Sequence, residues 1–352
     1  MVEIKEAVEL LNDKGELNCP GFSKTMVQKY DRSKIKASGF KIKEWDYYLI
    51  HNDKYAIALT IADNSYMGML SASVIRFEEP TEKTTSIITL FPFGKLNTDL
   101  NTKEKLNMPT NSAVGDIAVK HKNCDIRFIH DGKTRKLYCH MPNFDNGTPV
   151  TIDLTLSEEP KESMVIATPF DKNKKAFYFN QKIVGFKAEG TVIVGEEEIK
   201  FNKKNSLALL DWGRGVWTYK NTWYWGAGMQ NIDGKLFGFN IGYGFGNTEK
   251  ATENMLFYDG VAHKLEDVTF NIPSLDGKDD FMSPWTFTSS DKRFEMEFTP
   301  IIDRHSDTNL LVLRSNQHQV FGYFNGYATL DNGTKIEIKN LLGFAEKVYN
   351  KW

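Results

Sequence analysis

The chain has 352 residues, 41 % apolar and 26 % charged, and its 44 lysines and arginines nearly balance 46 aspartates and glutamates. That composition excludes an intrinsically disordered chain and the large basic surface that nucleic-acid binding requires. Aromatic content is high, with 24 Phe, 14 Tyr and 7 Trp, which points to cores or a ligand cavity built from flat side chains. In chain order, Val2–Leu11 comes first, where Ile4, Ala7, Val8 and Leu11 fall at helical spacing and predict a short helix. Glutamates in that segment break the pattern of an export signal, and no run of about 18 apolar residues occurs, so a cytoplasmic protein without a transmembrane segment is expected.

From Trp45 onward the pattern is that of strands. Ile152, Leu154 and Leu156 alternate with polar neighbours, as do Phe294, Met296 and Phe298, and later Ile336 and Ile338. Between such runs lie Asp-Gly and Asn-Gly pairs at Asp131, Asn146, Asp233, Asp259, Asp276, Asn325 and Asn332, which supply the positive φ of tight hairpin turns. A second helical signal is confined to Leu341–Tyr349, and the βαβ alternation of nucleotide-binding folds is absent. The expected fold is all-β, an antiparallel meander closed into two tandem β-barrels of about eight strands each. The polar stretch Phe170–Lys175 and the turn region Gly190–Glu198 bracket a junction placed near residue 185, giving domains 1–185 and 186–352.

Three cysteines, Cys19, Cys124 and Cys139, form no CxxC pair, and the seven histidines show no HxxxH spacing, so neither a metal nor a cofactor is expected. If Asp131-Gly132 makes a two-residue type I′ turn, Cys124 faces Cys139 as a pair of free buried thiols; a four-residue loop sets Cys124 against Met141 instead.

Chemistry is concentrated in Leu210–Gly226, where Trp212, Trp217, Trp223 and Trp225 lie within fourteen residues. Asp211 and Arg214, three apart beside glycines, suggest a backbone turn that presents an ion pair. Alternation in Trp223-Tyr224-Trp225 puts both indoles on one face. Two readings stand side by side: a tryptophan core fixed by a buried Asp–Arg pair, or an aromatic-walled cavity with one polar end.

These residues also carry a resemblance. Leu209–Trp217 (LLDWGRGVW), Trp223–Gly226 (WYWG), Asn240–Gly246 (NIGYGFG), Thr252–Asn254 (TEN) and Tyr258–Gly260 (YDG) resemble a bacterial family known as domain of unknown function 2804. The resemblance extends to Lys43–Tyr48 (KEWDYY), Phe177–Lys182 (FYFNQK), Gly322–Gly326 (GYFNG) and Leu342–Glu346 (LGFAE). That family is distantly similar to the carotenoid hydratase, AttH-like and tocopherol cyclase group, which implies that the two tandem barrels are lipocalin-like.

Asp211 and Glu253 are the candidate catalytic carboxylates, and Arg214, Trp212, Trp217, Trp223, Trp225, Tyr178, Asn180 and Lys182 are candidate ligand-binding residues. Burial under indoles would raise the pKa of Asp211, whereas pairing with Arg214 would lower it. Three functions fit: a hydrophobic small molecule (isoprenoid, lipid or polycyclic) bound and transformed by acid-type hydration, cyclisation or isomerisation; the same molecule bound without catalysis; or a carbohydrate cleft with stacked indoles and paired carboxylates. Substrate identity and oligomeric state have no signature in the sequence.

Overall fold

Antiparallel strands form nearly all the regular structure of the computed structural model, which describes residues 1–310 and 313–351; two short 3-10 turns, Arg32–Lys34 and Gly39–Lys41, and one short parallel strand pair are the exceptions, and no α-helix occurs among the described residues. Thirteen strands make the first sheet: β1 (Gly21–Ser23), β2 (Ile42–His51), β3 (Tyr55–Asp63), β4 (Met67–Arg76), β5 (Thr81–Leu90), β6 (Ile117–His121), β7 (Cys124–His130), β8 (Arg135–Asp145), β9 (Thr148–Ser157), β10 (Met164–Phe170), β11 (Asn173–Val194), β12 (Glu197–Phe201) and β13 (Leu207–Val216). Nine make the second: β14 (Lys220–Ile232), β15 (Lys235–Tyr243), β16 (Met255–Tyr258), β17 (Val261–Lys264), β18 (Val268–Asn271), β19 (Trp285–Ser289), β20 (Phe294–Leu310), β21 (Leu313–Thr329) and β22 (Lys335–Lys351).

The main path of the first sheet runs β6-β7-β8-β9-β11-β13-β2-β3-β4-β5, with β10 and β12 added on β11 and β1 on β10. The second runs β17-β16-β15-β14-β22-β21-β20-β19-β18. Both curl into half-barrels, as the tandem lipocalin-like expectation requires. In the first, Thr85 of β5 donates to the carbonyl of Phe144 in β8 and draws distant strands together.

Three apolar cores result. One, inside the first sheet, gathers Tyr48, Ile57, Phe179, Leu210 and Trp212. Another, inside the second, is built from Phe237, Phe239, Trp285, Phe287, Phe298 and Phe324. The third lies between the sheets and joins Tyr47, Leu49, Tyr178 and Leu209 to Trp225, Met229 and Phe344. Strands that face two cores are buried along both sides, and β13 is buried at every residue.

That double burial explains the two helical expectations the fold overturns. Leu341–Tyr349 lies within β22, where Leu341 serves the core of the second sheet and Leu342 the core between sheets, so polar residues do not alternate with apolar ones. At the N-terminus, Val8–Glu9 pairs in parallel with Gln28–Lys29, and the adjacent Leu10 and Leu11 are both buried against the first sheet, which an extended chain achieves here without a helix. The turn signals around residue 185 are hairpins at either end of β11, which runs through Gly185; the chain changes sheet at Trp217–Tyr219.

The β7–β8 hairpin takes the four-residue loop. His130 pairs with Arg135 and Ile126, not Cys124, stands opposite Cys139. A type I′ turn needs positive φ at both central residues, and of Asp131 and Gly132 only Gly132 has it. The Asp131 carboxylate instead accepts from the backbone N–H groups of Lys133 and Thr134 and closes the longer loop. Both cysteines are free and buried, and the Cys124 thiol together with burial pushes the Cys139 thiol above its ordinary value.

Glycines in β13 have a packing role. Gly213 pairs with Trp45 of β2, and a Cβ there would stand 1.9 Å from Trp45 Cζ2. Gly213→Ala should therefore cost about 1–3 kcal/mol in urea unfolding, the usual penalty for overpacking, whereas Gly132→Ala, in open space but at positive φ, tests backbone strain alone.

Candidate functional site

The Trp-rich motif is a regular strand rather than a turn, and this sorts its residues. Residues three apart on a strand point to opposite faces. Asp211 faces the second sheet while Trp212 and Arg214 face the interior of the first, so the expected Asp211–Arg214 pair does not form. Arg214 is fully buried; its Nη1 bonds Asp46 Oδ1 at 3.0 Å and the carbonyl of Trp45 at 2.8 Å, its Nη2 bonds the carbonyl of Pro109 at 2.8 Å, and its guanidinium lies 4.2 Å over the Trp212 ring. Asp46 and Glu44 beside it are both raised from the ordinary carboxylate range by burial, against the pull of Arg214.

On the other face of β13 a separate cluster forms between the sheets. Asp211 accepts from Lys182 Nζ at 2.8 Å and from Asn180 Nδ2 at 2.6 Å, both projecting from β11 beside Tyr178. The Lys182 ammonium also sits 3.8 Å over the Trp225 ring. From there the second sheet continues the chain of contacts: Trp225 Nε1 donates to Asn240 Oδ1 at 2.7 Å, and Asn240 Nδ2 donates to the Glu253 carbonyl at 2.8 Å and, more weakly, to Glu253 Oε2 at 3.3 Å. Trp223 Nε1 donates to Glu346 Oε1, and Gln319 Nε2 to Glu346 Oε2, each at 3.0 Å. Gln319 in turn accepts from Arg304 at 2.8 Å. At the edge, Trp217 contacts Trp45, Trp223 and Phe245 with ring centroids 5.2, 5.9 and 4.7 Å apart.

Of the ten residues singled out in the sequence, eight therefore meet between the sheets: Asp211, Glu253, Tyr178, Asn180, Lys182, Trp217, Trp223 and Trp225. Trp212 and Arg214 belong to the first core. Sequence reasoning missed Glu346, Gln319 and Asn240. Glu346 and Asn240 end and begin two of the motifs quoted above, but nothing in a strand buried on both sides marks which residue meets a distant indole.

Burial sets the electrostatics. The Glu346 carboxyl is pushed up to about 7 by desolvation, opposed by the Trp223 hydrogen bond and by Lys182. Glu253 is raised for the same reason, with Lys182 and Asn240 opposing and Asp211 adding repulsion. Tyr47, edge-on to Trp225, is pushed up to about 12 by burial. A carboxyl poised near neutrality can both hold and release a proton, the condition for acid–base work.

The cluster is packed shut. One cavity of about 10 Å³ lies beside it, lined by Leu49, His51, Leu209, Met229 and Phe321; another of about 10 Å³ lies in the first sheet beside Asp46, Tyr48 and Arg135. Each has room for one water molecule. Among the described residues, no group of three or more His, Cys, Asp or Glu is arranged to hold a metal ion, and no helix is long and apolar enough to cross a membrane.

The chain matches the family described as domain of unknown function 2804 (DUF2804) over residues 1–352. It belongs to that family. No curated protein matches it. Among solved structures, kievitone hydratase from Nectria haematococca is similar at 12 % identity and TM-score 0.48, covering 92 % of each chain. An AttH-like protein from Nitrosomonas europaea is similar at 11 % identity and TM-score 0.49, covering 90 % of this chain and 95 % of that one. CghA is similar at 9 % identity and TM-score 0.41, covering 88 % and 87 %.

Two measurements follow from the geometry of this DUF2804 chain. Asp211→Asn leaves the buried Lys182 without its anion and should lower unfolding free energy by about 3–5 kcal/mol, read by urea denaturation. Glu346 binds its proton more tightly folded than unfolded, so its contribution to stability is complete below its ordinary value of 4.5 and is lost as pH rises through about 7, a change of about 3 kcal/mol. Glu346→Gln should abolish that loss. His51, pushed down to about 4 by burial, titrates in the same window with opposite sign, so the measurement is the difference between variant and wild type from pH 4.5 to 7.5.

Proposed function

We propose that this protein binds a hydrophobic small molecule of isoprenoid, lipid or polycyclic type between its two sheets and that a buried carboxyl protonates it, as in hydration, cyclisation or isomerisation of an alkene. The observation that carries the reading is Glu346, held up to about 7 between the Trp223 indole N–H and the Gln319 amide. Proton transfer from Glu346 to an alkene carbon leaves a carbocation and a carboxylate. Indole faces and the negative charge of Asp211 stabilise the cation, and Lys182 over Trp225 is a cation already held in this way. In hydration, water then adds to the cation and its proton returns to the Glu346 carboxylate; in isomerisation or cyclisation a neighbouring C–H proton passes to that carboxylate instead. Glu253, also raised by burial, lies in the same inter-sheet cluster.

Access requires the sheets to part where Trp45, Trp217, Trp223 and Phe245 meet, since the cavity beside the cluster holds only a water. Enclosure of Trp225 between the sheets disfavours a sugar cleft, which offers open indole faces.

Titration with a long-chain isoprenoid alcohol, followed by tryptophan fluorescence and mass analysis, tests the proposal. Saturable quenching is expected, weakened about tenfold or more by Trp225→Ala. A product heavier by one water, or an isomer, should form with the wild type and not with Glu346→Gln, which still binds. Binding without turnover in either protein leaves the non-catalytic binder; absence of both binding and turnover across isoprenoid, fatty-acid and steroid probes overturns the proposal.

A further inference from the structure

The surface next to the aromatic edge carries an apolar display that none of the three cores uses. Phe40, Leu90, Phe91 and Phe93 are 54 %, 74 %, 58 % and 42 % exposed. They form one cluster: the Phe40 and Phe93 rings meet edge to face with centroids 5.1 Å apart, and Phe91 stacks on Phe93 at 6.0 Å, with Leu90 preceding Phe91 in the chain. Scattered single apolar residues on a surface need no explanation, but a contiguous group of large ones marks an interaction site.

Backbone geometry indicates that the display is built rather than incidental. Phe91 and Phe93 have φ of 54° and 48°, a left-handed conformation that bulky residues rarely adopt. They are held there by hydrogen bonds from the Phe91 N–H to the Tyr66 carbonyl at 3.0 Å and from the Phe93 N–H to the Ser65 carbonyl at 3.1 Å. Buried Asp63 fixes both strands of this anchor, accepting from the backbone N–H groups of Ser65 at 2.9 Å and Leu96 at 3.2 Å. Phe40 is fixed from the other side, its carbonyl accepting from buried Lys43 Nζ at 2.9 Å. Gly94 in the same loop has φ of 87°, the left-handed conformation that favours glycine.

Charge selects the partner. Exposed lysines flank these rings in the chain, Lys41 next to Phe40, Lys95 two residues after Phe93 and Lys36 four residues before Phe40, whereas Arg32 and Lys34 pair with Glu44 and Glu9 and Lys43 is buried. Lys36, Lys41 and Lys95 are exposed. Aromatic side chains that project from a fixed loop, flanked along the chain by exposed lysines, fit the interface of an anionic bilayer, where rings enter the acyl boundary and ammonium groups stay with the headgroups. The patch also abuts the proposed route of access: the Trp217 N–H donates to the Lys41 carbonyl at 3.0 Å, one residue from Phe40.

We propose that the Phe40–Phe91–Phe93 cluster, with Lys36, Lys41 and Lys95, docks this protein on the surface of an anionic lipid bilayer, with the Trp217 edge of the inter-sheet site turned toward the membrane. The proposal goes beyond the ligand reading and is measured without a ligand, so the failure of one leaves the other standing.

The experiment is sedimentation of the full chain with vesicles of phosphatidylcholine alone and of phosphatidylcholine mixed with phosphatidylglycerol. The wild type should partition onto the anionic vesicles, less onto neutral ones, and less in high salt. Phe40→Ser/Phe91→Ser/Phe93→Ser should reduce partitioning about tenfold or more while the melting temperature stays unchanged. Lys36→Glu/Lys41→Glu/Lys95→Glu should reduce binding to anionic vesicles and leave neutral vesicles unaffected. Wild type that remains in the supernatant, or a serine variant that binds as well as wild type, overturns the proposal. So does a wild-type dimer in sedimentation equilibrium that the serine variant dissociates, which would make the patch a face for a second copy of the chain.

Discussion

An ammonium group almost wholly removed from water, Lys182 at 3 % exposure, lies between two sheets that must otherwise exclude water. Burying an unpaired charge costs several kcal/mol, so the surrounding residues have to answer it. Asp211 does so by direct contact and Trp225 through its ring face. Because Asp211 comes from β13, Lys182 from β11 and Trp225 from β14, one cation ties the two halves of the molecule together. Glu253 and Glu346 lie within its field, and without that field both carboxyls would be raised further. Of the carboxyls around this lysine, Glu346 is held up to about 7 by burial, where a proton can be held or released.

The motif that supplies Asp211 works on both of its faces. Inward, Arg214 binds Asp46 and the carbonyls of Trp45 and Pro109, and neighbouring Glu44 accepts from Tyr30 at 2.8 Å and from Arg32. That network ties the N-terminal segment and the 109 region over the mouth of the first sheet. Outward, Gly213 and Gly215 clear the strand surface so that the indoles of Trp45 and Trp217 lie close against it. The two glycines therefore permit the aromatic edge that closes the inter-sheet cluster. The same tight packing holds this edge closed.

The inter-sheet cluster and the exposed patch adjoin at this edge. The exposed phenylalanines sit beside the hydrogen bond from the Trp217 backbone N–H to the Lys41 carbonyl. Their outward display is maintained by buried Asp63 and Ser65 against the preference of apolar rings for the interior.

The sequence by itself determined the all-β class, through alternation at Ile152–Leu156 and Phe294–Phe298 and through the Asp-Gly and Asn-Gly turns, and its separated motifs identified the family. It also drew attention to Asp211, Lys182, Glu253 and the indoles, because concentrated aromatic residues beside isolated charges are visible as composition. Tertiary structure decided the partners. Asp211 and Arg214 look like a pair along the chain, yet a strand sends them to opposite faces, and their true partners, Lys182 and Asp46, arrive from β11 and β2. Glu346 was hidden because β22 is buried on both sides over Leu341–Glu346 and shows no alternation there, so helical spacing appeared where a strand forms. The β7–β8 register rested on whether Asp131 capped a longer loop, a matter of a few hydrogen bonds that a turn dipeptide does not encode. Spacing along a chain reports which side of an element a residue takes, whereas the charge and burial it meets there depend on residues far away in sequence that the folding of the sheets brings into contact.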